Sequence, residues 1–260
     1  CPLGNPGNSC ELELIELDLG RAHACGLLSN GTSTCWGSNT SAYVPSGSYQ
    51  QVVGQQDYSC ALALDGRVSC WGSPPTPVPS STFRTISAGD YHVCGVRLDN
   101  TVQCWGLNSS GQATPSAGTF QALSAGGNLT CGIRTDNTLA CWGDNFSGAA
   151  EPPAGGFSRI AVGYSSGCAI AMDQTIACWG DDFYGQATPP SGTFVELSAT
   201  AKYTCGIRTN GSIACWGDST DGILSPPSGS FVTLSANSFN DDRRACAVRT
   251  DGTLACWGSG

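Results

Sequence analysis

A fourteen-residue phrase, "CGIRTDNTLACWGD" (131–144), occurs in seven variants along the chain and limits what it can fold into. In every copy two cysteines ten positions apart flank a turn, and Trp-Gly follows at once. The first cysteines recur at intervals of 34 to 41 residues, the period of a repeat array in which each unit is one supersecondary element.

The turn inside the phrase dictates a pairing. If Thr135, Asp136 and Asn137 form a three-residue hairpin loop, Arg134 faces Thr138, Ile133 faces Leu139, and Cys131 faces Cys141. The last loop position must then tolerate positive φ, and it is Gly31, Gly66, Asn100, Asn137, Gly211 and Gly252, with Gln174 as the exception. The cysteines fall at a non-hydrogen-bonded cross-strand site, where Cα atoms approach to about 4.5 Å and a bridge is within reach. The expected disulfides are Cys25–Cys35, Cys60–Cys70, Cys94–Cys104, Cys131–Cys141, Cys168–Cys178, Cys205–Cys215 and Cys246–Cys256. Bridges between neighbouring units are the alternative, but they would not need the fixed ten-residue spacing.

An upstream anchor precedes each first cysteine by eleven residues: Leu14, Tyr49, Phe83, Phe120, Phe157 and Phe194. Phe231 stands fifteen before Cys246, an insertion of four. Alternating stretches such as "FVELSA" follow the anchors and read as strands, whereas no segment has helical periodicity. Each unit is therefore three or four short strands, too small for its own core. Seven such units are expected to stack as a seven-bladed β-propeller, blades about 14–48, 49–82, 83–119, 120–156, 157–193, 194–230 and 231–260. All seven tryptophans follow the second cysteines and read as packing between blades. Residues 1–13 are expected to complete the last blade, pinned by a Cys1–Cys10 bridge; a lipidated Cys1 would leave an odd cysteine count.

The runs "LSAGGNLTCGIRTDNTLACWGDNFSG" and "ISAGDYHVCGVRLDNTVQCWGLNSSGQ" resemble the regulator of chromosome condensation repeat. That resemblance implies a seven-bladed propeller, and the cysteine-stapled form is most similar to extracellular members such as the crinkly repeats of plant receptor kinases. It assigns no activity, and the founding member's nuclear exchange-factor activity does not suit a chain rich in disulfides.

Sixteen cysteines point to an oxidising compartment, hence a secreted or cell-surface protein. A net charge of −9 argues against nucleic acid, and no apolar run is long enough for a membrane span. No elbow, zinc motif or free thiol suggests catalysis, so neither enzyme nor cofactor is expected. His23 and His92 read as structural hydrogen-bonders, and Asp144, Asp181, Asp182 and Asp218 as an acidic rim without calcium-loop spacing. Glycosylation triplets stand at Asn30, Asn39, Asn108, Asn128, Asn145 and Asn210. The insertion around Asp241, Asp242, Arg243 and Arg244 and the Pro-rich connection Pro74–Pro79 are the irregular places where partner contacts could reside. The function expected is a non-catalytic interaction or assembly module of an extracellular structure, with a protein partner or self-assembly. A carbohydrate-binding propeller and a secreted inhibitor or receptor ectodomain are the alternatives.

Overall fold

The computed structural model describes residues 13–37, 44–239 and 242–259. Within them the chain forms seven antiparallel sheets of three consecutive strands, a seven-bladed propeller. The strands of the blades lie within 14–37, 49–72, 83–106, 120–143, 157–180, 194–217 and 231–258. The expected closure segment and the Cys1–Cys10 bridge fall outside the described residues.

In the fourth blade Phe120–Gly126, Leu129–Arg134 and Leu139–Gly143 pair so that Cys131 faces Cys141 and Ile133 faces Leu139. The same register holds in all seven hairpins, and every expected repeat disulfide is formed, with Cα–Cα separations of 4.0–4.1 Å. Two devices set that register. The last loop residue is left-handed in every copy, including Gln174 at φ 70°. The second loop residue, Asn30, Asp65, Asp99, Asp136, Asp173, Asn210 or Asp251, accepts the backbone N–H two positions on through its side chain.

The first strand of each blade faces the ring axis, and its side chains tie neighbouring blades together. Asp18 accepts the Gly54 N–H, Gln51 that of Ile86, Ser87 that of Ala125, Ser124 that of Val162, and Ser198 that of Ala236. The same interaction closes the circle, since Ser235 of the last blade accepts the N–H of Leu19 in the first. Asn237 also donates to the Leu19 carbonyl. Ring closure among the described residues is thus face-to-face packing of blades one and seven.

Between the axis and the outer edge, the disulfide face of each of the first six blades packs on the tryptophan face of the next. Cys94 and Val96 meet Phe120, Ala140 and Trp142; Cys168 and Ile170 meet Phe194 and Trp216. Gly132 and Gly206 are glycine because a Cβ there would stand 2.5 and 2.8 Å from the anchor rings of Phe120 and Phe194. The anchors in turn lie edge-on to the indoles, with centroids 5.6 Å apart for Phe120–Trp142 and 6.0 Å for Phe194–Trp216. One expectation fails. Trp36 is 40% exposed, whereas Trp142 is 7% exposed, and the core between blades seven and one contains Leu17, Leu19, Ala24, Cys246 and Val248 without an indole.

The four-residue insertion in the last blade is strand within the described residues. It lengthens the first two strands to Phe231–Phe239 and Asp242–Arg249, with Asn237 opposite Arg244 and Ser238 opposite Arg243.

Candidate binding surfaces

The ring has two rims of different chemistry. On the hairpin rim stand the seven cysteine-hairpin tips, each with Asp or Asn at its centre and with Leu64, Leu98 and Met172 exposed at the first position of three of them. On the other, the turn rim, the short turns between first and second strands meet the segments that follow Trp-Gly. Backbone bonds fix this meeting: Leu107 donates to Tyr91, Asp144 to Asn128, Asp181 to Ser165, and Asp218 to Lys202.

The turn rim carries exposed aromatic side chains. Phe183 is 82% exposed, Phe146 63%, Tyr91 57% and Tyr164 48%. Phe183 and Tyr184 form an edge-to-face pair at 5.0 Å, and the Lys202 ammonium lies 5.6 Å over the Tyr184 ring. Such turns vary between repeats, so periodicity hides them; the signal was aromatic residues in segments otherwise made of Gly, Ser and Asp.

The acidic residues expected on one rim are there, but they serve the loops. Asp144 accepts the Phe146 N–H, Asp182 the Ala187 N–H and the Thr188 hydroxyl, and Asp181 the Gln186 amide. No group of three or more metal-ligating side chains occurs among the described residues. No helix among them is long and apolar enough to cross a membrane.

His23 and His92 are buried and bond through Nε2 to Ser59 and Thr130 of the following blade, at 2.8 and 2.7 Å. Burial lowers both, His92 to about 4, so they are neutral links between blades. The axial channel holds a less expected group: Glu16, Asp18 and Glu196 on first strands. Burial pushes Glu16 up to about 8 and Asp18 to about 6, and raises Glu196. Sequence reading missed these carboxyls because they alternate with apolar residues like any half-buried strand.

Of the four charged residues proposed for partner contact, Arg243 must be withdrawn. Its guanidinium is buried and paired with Asp218 at 2.6 Å and Asp221 at 2.9 Å, tying the last hairpin to the loop of blade six. A charge committed to two internal carboxylates is not offered to a partner. Arg244 is half-buried and donates to the Arg21 carbonyl. Asp241 lies outside the described residues, and only the backbone of Asp242 is described.

The glycosylation triplets divide between the rims. Asn30 and Asn210 are exposed at hairpin tips. Asn108 and Asn145 are exposed on the turn-rim segments, where each side chain is already bonded to its own loop. Asn128 is half-buried and accepts from Gln112, with Thr130 of its triplet fully buried; Asn39 lies outside the described residues. The Pro74–Pro79 connection contains a cis Thr76–Pro77 bond and lays Pro75 against Gly106.

A pocket of about 220 Å³ opens on the turn rim between blades seven and one. Leu19, Ala22, Ala24, Trp36, Arg244 and Cys246 are among its lining. The matching space at four other seams is filled. There a residue of the post-Trp-Gly segment enters, and its carbonyl accepts the indole N–H of the next blade: Gln112 from Trp142, Ala149 from Trp179, Gln186 from Trp216 and Ile223 from Trp257, at 2.8–2.9 Å.

These features define a disulfide-stapled seven-bladed propeller. Residues 15–42, 83–112 and 120–149 match the Regulator of chromosome condensation (RCC1) repeat, so the chain carries repeats of that type. In structure it is similar to the CRINKLY WD40 ectodomain of the Arabidopsis thaliana receptor kinase ACR4, with 26% identity and a TM-score of 0.76, covering 96% of this chain and 99% of that one. The entire ectodomain of the Physcomitrella patens receptor kinase CR4 is similar at 24% identity and TM-score 0.80, over 96% of this chain and 74% of that one. Prp20p of Saccharomyces cerevisiae shares the fold at 14% identity and TM-score 0.72, over 88% of this chain and 75% of that one. A search of curated proteins gives no match.

Proposed function

We propose that the chain is a non-catalytic extracellular interaction module that engages a protein through its turn rim. The observation that carries this reading is the concentration of exposed aromatic side chains there, with Phe183 82% and Phe146 63% exposed on a rigid scaffold. Tyr, Trp and Phe are enriched at protein interfaces, and loops on a rigid frame are where binding is commonly built. Seven disulfides and the likeness to receptor-kinase ectodomains support an extracellular setting. Buried, neutral histidines and loop-bound aspartates support a structural use of the polar groups.

The test is capture of extracellular and cell-surface proteins by the immobilised ring. A Phe183→Ser, Tyr184→Ser double variant is expected to lose the captured protein, and a Leu64→Ser, Leu98→Ser variant on the hairpin rim to keep it. Equal capture by both variants contradicts the reading. Self-assembly is read separately by light scattering: single rings of about 26.7 kDa are expected at every concentration, and particles that grow with concentration indicate a structural subunit instead.

A further inference from the structure

We propose that the turn rim of blades three to five is a docking surface for a basic partner protein, which sets arginine or lysine side chains against its aromatic and acidic groups. The sorting of charge along the chain carries this. Between residues 83 and 193 the cations are Arg84, Arg97, Arg134 and Arg159, and all four stand at the hairpin-rim ends of their strands. The turn rim of the same blades carries Asp90, Asp144, Asp181 and Asp182, and none of them makes an ion pair among the described residues. Their hydrogen-bond donors are neutral amides, a hydroxyl and backbone N–H groups. Such bonds orient a carboxylate without balancing its charge, so a cation from outside is the group that complements this face.

The exposed aromatic side chains stand among these carboxylates, and close contacts between turns join the three blades into one surface. The Asp90 N–H donates to the Gly127 carbonyl of blade four at 3.2 Å. A Cβ on Gly127 would in turn stand 2.7 Å from the Tyr164 ring of blade five. Glycine at 127, with φ 50°, therefore lets Tyr164 lie against the turn to which Asp90 is bonded. Asp90, Gly127 and Tyr164 all border the concave mouth of the axial channel. Burial there raises the Asp90 carboxyl, a cost that a paired cation offsets. Farther out, Phe146 follows Asp144 by two residues, and Phe183 and Tyr184 follow Asp181 and Asp182 directly. The chain itself displays the contact, because its single lysine, Lys202, holds its ammonium over the Tyr184 ring. Arginine suits the surface better than lysine, since a planar guanidinium both stacks on a ring and pairs with a carboxylate through two bonds. The same four charges repel an acidic peptide or a phosphate backbone.

This proposal rests on the turn-rim reading and names the chemistry of its partner. The probes are synthetic hexa-arginine, hexa-lysine and hexa-glutamate peptides and a neutral chitin hexasaccharide, titrated into the whole chain by calorimetry and nitrogen-15 NMR. Hexa-arginine is expected to bind with Kd of about 10 µM to 1 mM, more tightly than hexa-lysine. It is expected to weaken about tenfold when salt rises from roughly 50 mM to roughly 500 mM, with backbone signals moving at 90–91, 144–146, 164 and 181–184. Asp90→Asn with Asp182→Asn tests the surface against net charge. Asparagine preserves the loop, since Asn108 and Asn145 accept the Ala113 and Ala150 N–H groups as Asp182 accepts that of Ala187. This pair is expected to weaken hexa-arginine about three- to twentyfold, and the charge-matched pair Glu13→Gln with Asp65→Asn on the hairpin rim by less than about twofold. Equal weakening by both pairs overturns the proposal, as do signals that move only on the hairpin rim or no saturation at millimolar hexa-arginine. Tighter binding of hexa-glutamate or of the hexasaccharide at this face also overturns it. The capture experiment separates the two readings. A captured protein that the Phe183→Ser, Tyr184→Ser variant loses but the Asp90→Asn, Asp182→Asn variant keeps, at low and high salt alike, removes the basic partner and leaves the rim reading standing.

Discussion

His92 and Glu16 respond to acid in opposite senses. His92 is held at about 4 in the folded chain against about 6.5 when unfolded, so its burial is costless above 6.5 and destabilising as pH falls toward 4. Glu16 is raised to about 8 from an ordinary 4.5, so the fold favours its protonated form; that contribution is full below 4.5 and lost as pH rises through 8. Asp18, at about 6, acts in the same sense as Glu16. Glu16→Gln keeps an acceptor for the Val52 N–H without the charge. It is expected to melt higher than the parent at pH 8 and equally at pH 4, in calorimetry across that range; the same shift at both pH values would mean that charge is not the cause. Gln174 tests the backbone. It holds φ 70° where other copies use Gly or Asn, so Gln174→Gly is expected to stabilise by about 0.5–1 kcal/mol in chemical denaturation. Gly66→Ala at φ 82°, with the Phe83 carbonyl 3.0 Å from the new Cβ, is expected to cost about 1–2 kcal/mol.

At the scale of the hairpin, what the sequence spells is hydrogen-bond register. A ten-residue interval around a three-residue turn fixes which residues face each other, so the seven bridges and the two faces of each blade were legible. Replacing Cys131 and Cys141 together by Ser is expected to lower stability by about 2–3 kcal/mol, the chain-entropy value for so short a loop, measured by denaturant titration. The insertion was less legible. Asp241 to Arg244 read as a charged loop because composition does not report direction, whereas continued pairing of Asn237 with Arg244 turns Arg243 inward to Asp218. Arg243→Met strands two carboxylates, one of them buried, and is expected to cost about 3 kcal/mol or more by the same titration. A loss below about 1 kcal/mol would place that ion pair among the negligible surface ones.

For the whole ring, repeat number and apolar alternation made the propeller legible, because only radial stacking buries both faces of seven small sheets. The binding surface was not, because it is written where the repeats differ. Phe146 and Phe183 both stand four residues after a repeat tryptophan, but Tyr91 and Tyr164 lie at other offsets, and the four come onto one rim only when the turns gather there. Trp36 obeys the repeat in sequence yet is 40% exposed, whereas Trp142, Trp179, Trp216 and Trp257 each donate to a segment supplied by the preceding blade. The most direct measurement puts a photo-reactive phenylalanine at position 183 on the turn rim and, in a second preparation, at position 98 on the hairpin rim. Both are irradiated on the surface of cells that bind the ring. The account predicts discrete protein adducts from position 183 and none from position 98. Adducts from position 98 alone, or from neither, would contradict it.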